Sequence, residues 1–450
     1  MWRIDTRLTR SPEAEPPWRL VLLLVAAGLL NACAWQRPMA PFPPVVVPET
    51  PAREVERHRF LLGKGDTVVG QLAAVRVRPG DTLPDIARHF GLGHEEIGAA
   101  NPDLDMWAPE AESRVLLPLQ FVLPDAPRKG IVINLAAMRL FSFPDGQAGR
   151  VISYPVGIGK EGRSTPTGEM FVARKSVKPT WYVPESIRRD HEKRGDPLPA
   201  VVSPGPDNPL GDYALYLSRP SYLIHGTNKP YAIGLRASNG CLRLYPENIK
   251  TLYQATPIKT PVHVVNQPYL LGWLKGQPYL EAHAPQEELN AQALKKALYA
   301  KLRAIERRHG WTLDWPKIET VLAEARGIPV PILARTPSID QVVAQAVELD
   351  PPAELYGRPP PPPPVGQGDW TITVLETEDE LTARRAAAVL NHMGPQIPAR
   401  AVPLADGRYR VIAGPFKDAK ATKAVAKRMA LDLELHGKIQ PPRQELTVAQ

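Results

Sequence analysis

Apolar and polar positions repeat with different periods along this chain, and the changes of period mark its parts. Leu20 to Leu30 is an unbroken apolar run, shorter than a permanent bilayer-spanning helix requires. Within 73–119, Val75-Arg76-Val77 alternates as a strand. Leu83, Ile86, Ala87 and Phe90 then fall on one helical face, with Thr82 and Asp85 at capping positions. A second short helix over 94–100 stops at Asn101-Pro102, and Val115–Leu117 reads as a closing strand. From 129 to 266 the pattern turns to short β runs: Ile131–Asn134, Arg139–Phe143, Arg150–Tyr154, Ala214–Leu217, Tyr222–Ile224 and Pro261–Val265. The stretch 175–211 is too long for an ordinary connection and reads as a lid or binding loop.

Beyond it, 280–345 carries a helical period through Leu294, Ala297, Leu298, Leu302 and Ile305 and predicts a helical extension. Residues 367–443 predict the order β-α-β-β-α-β, with strands at Trp370–Leu375, Ala399–Val402, Arg408–Ala413 and Lys438–Gln440. Their first helix is expected over Thr377–Asn391, with Thr377 and Glu380 at capping-box spacing. The whole is a multidomain α+β chain around a mostly-β sandwich.

Proline changes this picture. The chain of 450 residues has 52 prolines, more than twice the usual share of about 5%. They concentrate in a tether and lead-in at 34–72 and a linker at 346–366, whose unbroken run Pro359–Pro364 favours a stiff extended spacer. The net charge of +8 points to an anionic partner. Residues 1–33 read as an export signal, so a wall polymer or membrane surface fits better than nucleic acid. No CxxC, HExxH or glycine-rich phosphate loop occurs, so neither a metal nor an organic cofactor is expected.

Two cysteines are present, Cys33 and Cys241. Cys33 ends Leu30-Asn31-Ala32-Cys33, which resembles a lipobox and predicts lipidation at Cys33. Cys241 would then have no disulfide partner in an oxidising compartment, which favours a reactive role. It sits in Ser238-Asn239-Gly240-Cys241-Leu242-Arg243, sixteen residues after the His225 of His225-Gly226-Thr227. An imidazole beside a thiol is the usual means of making a nucleophilic thiolate. Gly240 suits a turn whose N–H groups face a developing oxyanion. The pair therefore predicts acyl transfer.

Three resemblances sharpen the reading. Pro79-Gly80-Asp81-Thr82-Leu83, Ile86-Ala87 and Ala100-Asn101-Pro102 resemble a LysM module at 73–119, a family that binds N-acetylglucosamine-containing glycan. Tyr409–Phe416 resembles the signature of a SPOR domain, a family that binds peptidoglycan strands stripped of stem peptides. Its topology is shared with RNA-binding domains, but their base-stacking aromatic pattern is missing. The segment 129–266 resembles the YkuD-type L,D-transpeptidases through Pro155–Gly159, Ser164–Gly168, Pro179-Thr180-Trp181, Gly205–Gly211, His225–Thr227 and Ser238–Arg243. Asn239 stands where that family often has His, which places the base role on His225.

The last resemblance implies a cysteine acyltransferase acting on peptidoglycan stem peptides. Cys241 would attack the L-centre carbonyl of a tetrapeptide stem and release D-Ala. His225 would be its base, oriented by the Gly226 carbonyl, with Gly240 and Asn239 at the oxyanion. Arg243, Ser238, Thr227 and Trp181 are placed toward substrate. For Arg243 a stem-peptide carboxylate and a structural ion pair are equally open. The acyl acceptor is a second stem (a 3-3 cross-link) or a lipoprotein lysine. Two alternatives stand beside this: an L,D-carboxypeptidase using the same acyl-enzyme, and a non-enzymatic wall-binding lipoprotein. The expected location is the periplasm, lipid-anchored in the outer membrane. His225 and Cys241 lie outside 367–443, so the C-terminal part is expected to serve wall binding and not the chemistry.

Overall fold

The computed structural model describes residues 55–442. The expected signal 1–33 with Cys33, the tether as far as 54, and residue 443 lie outside the described residues.

The central segment builds a nine-stranded sheet. Its order is Arg59–Leu61, Arg150–Pro155, Arg139–Phe143, Gly130–Asn134, Pro261–Val265, Gly168–Val177, Tyr213–Leu217, Leu223–His225 and Leu242–Arg243. Neighbours run antiparallel except Gly130–Asn134 beside Pro261–Val265 and Leu223–His225 beside Leu242–Arg243. A bulge between Val172 and Arg174 bends the long central strand. One apolar core takes Ile131, Leu140 and Tyr154 from one side of that bend and Leu215, Ile224 and Leu242 from the other. The sheet therefore wraps around its core instead of lying flat. Helix Pro246–Ala255 closes the core with Ile249 and Leu252.

In the 73–119 module, Ala73–Arg76 pairs antiparallel with Arg114–Leu117, and helices Leu83–Phe90 and His94–Ala100 lie between them in sequence. Thr82 caps the first helix by accepting from the Asp85 N–H at 3.2 Å, and Gly91 ends it in the left-handed region.

The following extension differs from a purely helical reading. It starts earlier, with a three-stranded sheet of Tyr269–Leu274, Gln277–Ala282 and Val330–Pro331, and adds helices Ala291–His309, Trp315–Glu324 and Ile339–Ala344. Its core runs into the 73–119 module through Ala74, Ala100 and Leu116, and takes in Leu72 just before it. Val347–Leu349 then joins that module's sheet, parallel to Ala73–Val75. The linker that follows is strapped down. Arg78 donates to the Pro351 carbonyl at 2.7 Å, Arg88 to the Gly357 carbonyl at 2.9 Å, and Arg358 pairs with Asp81 at 2.9 Å. A proline-rich linker leaves backbone carbonyls open as acceptors, and Arg78 and Arg88 of this module use those of Pro351 and Gly357.

The C-terminal part forms a four-stranded antiparallel sheet ordered Ala399–Pro403, Tyr409–Phe416, Trp370–Thr377 and Lys438–Gln440, with helices Glu380–Asn391 and Ala419–Leu433 packed on one face. Thr377 does not cap the first helix. It is the last residue of its strand, and Asp379 caps instead, accepting from the N–H groups of Leu381 and Thr382.

Candidate active site

The site grows out of the edge of the nine-stranded sheet. His225 is paired with Ala214 on one side and with Arg243 on the other. Its own carbonyl accepts from the Leu244 N–H at 2.9 Å. Cys241 immediately precedes the edge strand Leu242–Arg243. In a parallel pair, partners share a face and alternate residues share a face. Cys241 thus stands two residues before Arg243, the partner of His225 on the adjacent strand.

His225 is 3% exposed, and its Nδ1 lies 2.7 Å from the Gly226 carbonyl. A carbonyl only accepts, so Nδ1 carries the proton and Nε2 keeps its lone pair. Burial lowers the imidazole pKa to about 3, and the Arg243 charge pushes the same way. The imidazole is therefore neutral at physiological pH. Burial also raises the Cys241 thiol above its ordinary value, against the opposing pull of the Leu223 backbone and Arg243. Its Sγ is 3.5 Å from the Ser221 carbonyl. The resting pair is a neutral thiol and a neutral imidazole. A proton can leave the sulfur when a substrate carbonyl arrives.

The turn before Cys241 is fastened from within. Ser238, 2% exposed, donates through Oγ to the Cys241 carbonyl at 2.6 Å and accepts from the Gly240 N–H at 3.1 Å. Ser238 thus shapes the turn, and the Gly240 N–H is already engaged. Gly240 has φ +103°, a region that L side chains rarely adopt. Its carbonyl accepts from Thr165 Oγ1 at 3.0 Å, which ties in the Ser164–Gly168 block. Asn239 is exposed at the tip.

Arg243 exchanges two backbone hydrogen bonds with Gly157, at 2.8 and 2.9 Å. Its half-buried guanidinium lies close enough to feel the charges of Cys241 and Tyr231. It forms no ion pair among the described residues, and its Nε has no hydrogen-bond partner. Thr227 is buried in the loop after His225, where its Oγ1 accepts from the Lys229 N–H at 2.9 Å. Trp181 lies apart from this network, in the two-residue strand Trp181–Tyr182 that pairs with Val201–Val202. Around it, 178–211 is a long excursion that begins after strand Gly168–Val177, contains helix Glu185–Lys193 and is fixed by Asn208. That side chain is 1% exposed and donates to the carbonyls of Pro179, Val202 and Ser203.

Ser221, Thr165 and Tyr231 were not singled out as site residues by pattern. Thr165 lies in a block that carries the family resemblance. Ser221 and Tyr231 act through a backbone carbonyl and a distant packing contact, and neither leaves a local signal.

No group of three or more His, Cys, Asp or Glu able to hold a metal occurs among the described residues. No helix among them is long and apolar enough to cross a membrane.

Comparison with known proteins agrees with this geometry. Residues 128–264 match the L,D-transpeptidase catalytic domain of the YkuD type, and residues 366–435 match the SPOR domain. The probable L,D-transpeptidase ErfK/SrfK of Escherichia coli K12 is 38% identical over 278 residues, 60% of this chain and 88% of that protein. The probable L,D-transpeptidase YbiS of the same strain is 40% identical over 232 residues, 51% of this chain and 75% of that protein. The probable L,D-transpeptidase YcfS is 41% identical over 214 residues, 46% and 67% respectively.

Proposed function

This chain belongs to the L,D-transpeptidase family, and from that membership we propose that it acylates peptidoglycan through a thioester on Cys241. The observation that carries the mechanism is the His225 Nδ1 to Gly226 carbonyl bond of 2.7 Å, which puts the ring proton on Nδ1 and assigns the base role to the Nε2 lone pair, on the strand beside that of Cys241. His225 takes the thiol proton as Cys241 Sγ attacks the L-centre carbonyl of a stem tetrapeptide. The C–N bond to D-Ala breaks, and the proton goes to the leaving amine. The acceptor amine then attacks the thioester, transfers the acyl group and restores the thiol.

Since Ser238 occupies the Gly240 N–H, the oxyanion draws on the Cys241 N–H and Asn239, while Gly240 supplies the backbone conformation. Arg243, without an ion pair, suits a carboxylate of the stem peptide. Thr227 and Trp181 flank the substrate, the first by shaping the loop after His225 and the second from the lid. The SPOR domain and the LysM-like 73–119 module contact glycan, and a diacylated Cys33 anchors the protein to the membrane from the periplasmic side.

The test is mass spectrometry of disaccharide-tetrapeptides incubated with the protein. Cross-linked dimers, or adducts to a supplied lipoprotein lysine, support transfer. Trimmed tripeptides alone would replace it with L,D-carboxypeptidase activity. Cys241→Ala and Cys241→Ser should lose at least about a thousandfold in turnover while staying folded, as removal of a covalent nucleophile does. Wild-type turnover by Cys241→Ala would sink the thioester mechanism.

A further inference from the structure

Between His225 and Cys241 the chain makes one excursion, Gly226 to Ser238, and its first half is gripped from outside the catalytic domain. On one side stands the 73–119 module. The His94 N–H donates to the Ile233 carbonyl at 2.9 Å and the Glu95 N–H to the Gly234 carbonyl at 3.1 Å. The His94 imidazole lies against the Tyr231 backbone. On the other side stands the SPOR domain. Tyr231, half-buried, packs against the SPOR domain's apolar core, with its hydroxyl 3.9 Å from Met393 Sδ. Lys229 faces Asp432 at 3.8 Å. The backbone at Gly394 comes so near the Asn228 carbonyl that any Cβ there would collide with it.

We propose that the SPOR domain is a working part of the active site: through Tyr231 and Gly394 it holds the 226–234 loop, and with it the Gly226 carbonyl that orients His225. Tyr231 is a positioning residue and does not touch the reacting atoms. The inference rests on the reading of His225 as the base of Cys241.

Little chain lies between the clamp and the base. Only Thr227 separates Gly226 from Asn228, the residue whose carbonyl Gly394 covers. A displacement of that carbonyl is therefore passed to Gly226 with little chain to absorb it. Losing the Nδ1–H acceptor frees the imidazole to rotate or change tautomer. A misplacement of about 1 Å in a catalytic group can cost as much as a hundredfold in rate. The fixed side of the loop, at Ile233 and Gly234, cannot compensate, because it lies beyond Tyr231. A module expected to serve targeting alone has no need to pack its core against a catalytic-domain tyrosine.

Full-length Gly394→Ala, Tyr231→Leu and Tyr231→Phe test this on soluble disaccharide-tetrapeptide, alongside iodoacetamide labelling of Cys241 at pH 7 read by peptide mass. Gly394→Ala wedges the loop away from the SPOR domain, and Tyr231→Leu keeps an apolar side chain but loses the ring. Each should lower kcat about tenfold with KM within about twofold, and slow Cys241 labelling in step. Tyr231→Phe should stay within about twofold of wild type in both readouts, because the packing ring is retained. Sacculus binding by Gly394→Ala should match wild type.

Three results would overturn the proposal. One is an unchanged kcat in both Gly394→Ala and Tyr231→Leu, whatever happens to their melting temperatures. Another is a rise in KM alone, which would make the loop a substrate contact. The third is a Tyr231→Phe loss as large as that of Tyr231→Leu, which would give the hydroxyl a chemical role. The labelling readout needs no muropeptide. An inert wild-type protein with normal, variant-sensitive labelling would thus fault the substrate assignment and spare the clamp.

Discussion

At the contact between the catalytic sheet and the 73–119 module, Arg139 is 1% exposed and reaches both Glu96 carboxylate oxygens, at 2.8 and 2.7 Å. It also donates to Ser153 Oγ at 3.0 Å and the Gly91 carbonyl at 3.1 Å, and its guanidinium lies 4.0 Å from the Phe121 ring centre. At the contact between that module and the SPOR domain, Arg385 pairs with Asp105 while its side chain stays 45% exposed. Both are arginine–carboxylate pairs, yet they do different work. A buried pair held by four hydrogen bonds defines one geometry, because any other leaves a charge stranded. A surface pair trades water for a carboxylate at little net gain. The 73–119 module is thus built into the catalytic domain. The SPOR domain is held by apolar packing around Tyr231 and Met393, by the Trp107–His392 ring contact at 5.4 Å and by a contact of 2.9 Å between His392 Nε2 and the buried Asp85 carboxylate of the 73–119 module.

The largest expected effect comes from breaking the buried pair. Arg139→Met leaves Glu96 without its partner in a site 9% open to water and should cost about 3–5 kcal/mol in chemical denaturation. Adding Glu96→Leu should recover at least half of that, since two apolar side chains strand no charge. A double variant as unstable as the single one would show that Ser153 and Gly91, and not the carboxylate, carry the penalty.

Acid should loosen the same regions next. His58 and His94 are pushed by burial to about 4 and His225 to about 3, all below the ordinary value of 6.5. Each is neutral when folded, whereas the unfolded chain takes up protons as pH falls through 6.5. Stability from these groups is complete above that value and is lost as pH drops toward the folded values. For His225 the slope reaches about 1.4 kcal/mol per pH unit. The melting temperature should therefore fall steadily from pH 6.5 to 4.5 and be insensitive to these groups between pH 7 and 8. A melting temperature flat down to pH 5 would contradict the buried neutral state of His94 and His225.

The two contacts also show what a sequence discloses. The His225 and Cys241 motifs point to the family, and the Tyr409–Phe416 run points to the SPOR domain, because those signals are local. Nothing local marks Arg139, which reads as an ordinary polar strand residue until Glu96, 43 positions earlier, is brought beside it. Val347–Leu349 looks like a linker's lead-in because its partner strand lies more than 270 residues away. Among the candidate site residues, Ser238 reads as a substrate contact because its motif is familiar, whereas its hydroxyl is spent inside the turn. Tyr231 is a similar case, since its packing partner belongs to another domain. Pattern identifies the chemistry, but it cannot say which atoms are already engaged.

The smallest effect is expected at the exposed pair, and it sharpens the comparison most. Arg385→Ala removes the bridge to Asp105, whose carboxyl is held below its ordinary value by Arg385 and by the N–H groups of Ala108 and Trp107. Those two N–H groups remain in the variant, so Asp105 keeps acceptors to satisfy and loses only a solvent-screened charge. The melting temperature should move by no more than about 2 °C, and muropeptide turnover should be unchanged, because the 226–234 loop is held elsewhere. Raising the salt concentration should erase even that shift. A large loss of stability or turnover would mean that the SPOR domain is docked by this ion pair, and the contrast with Arg139 would collapse.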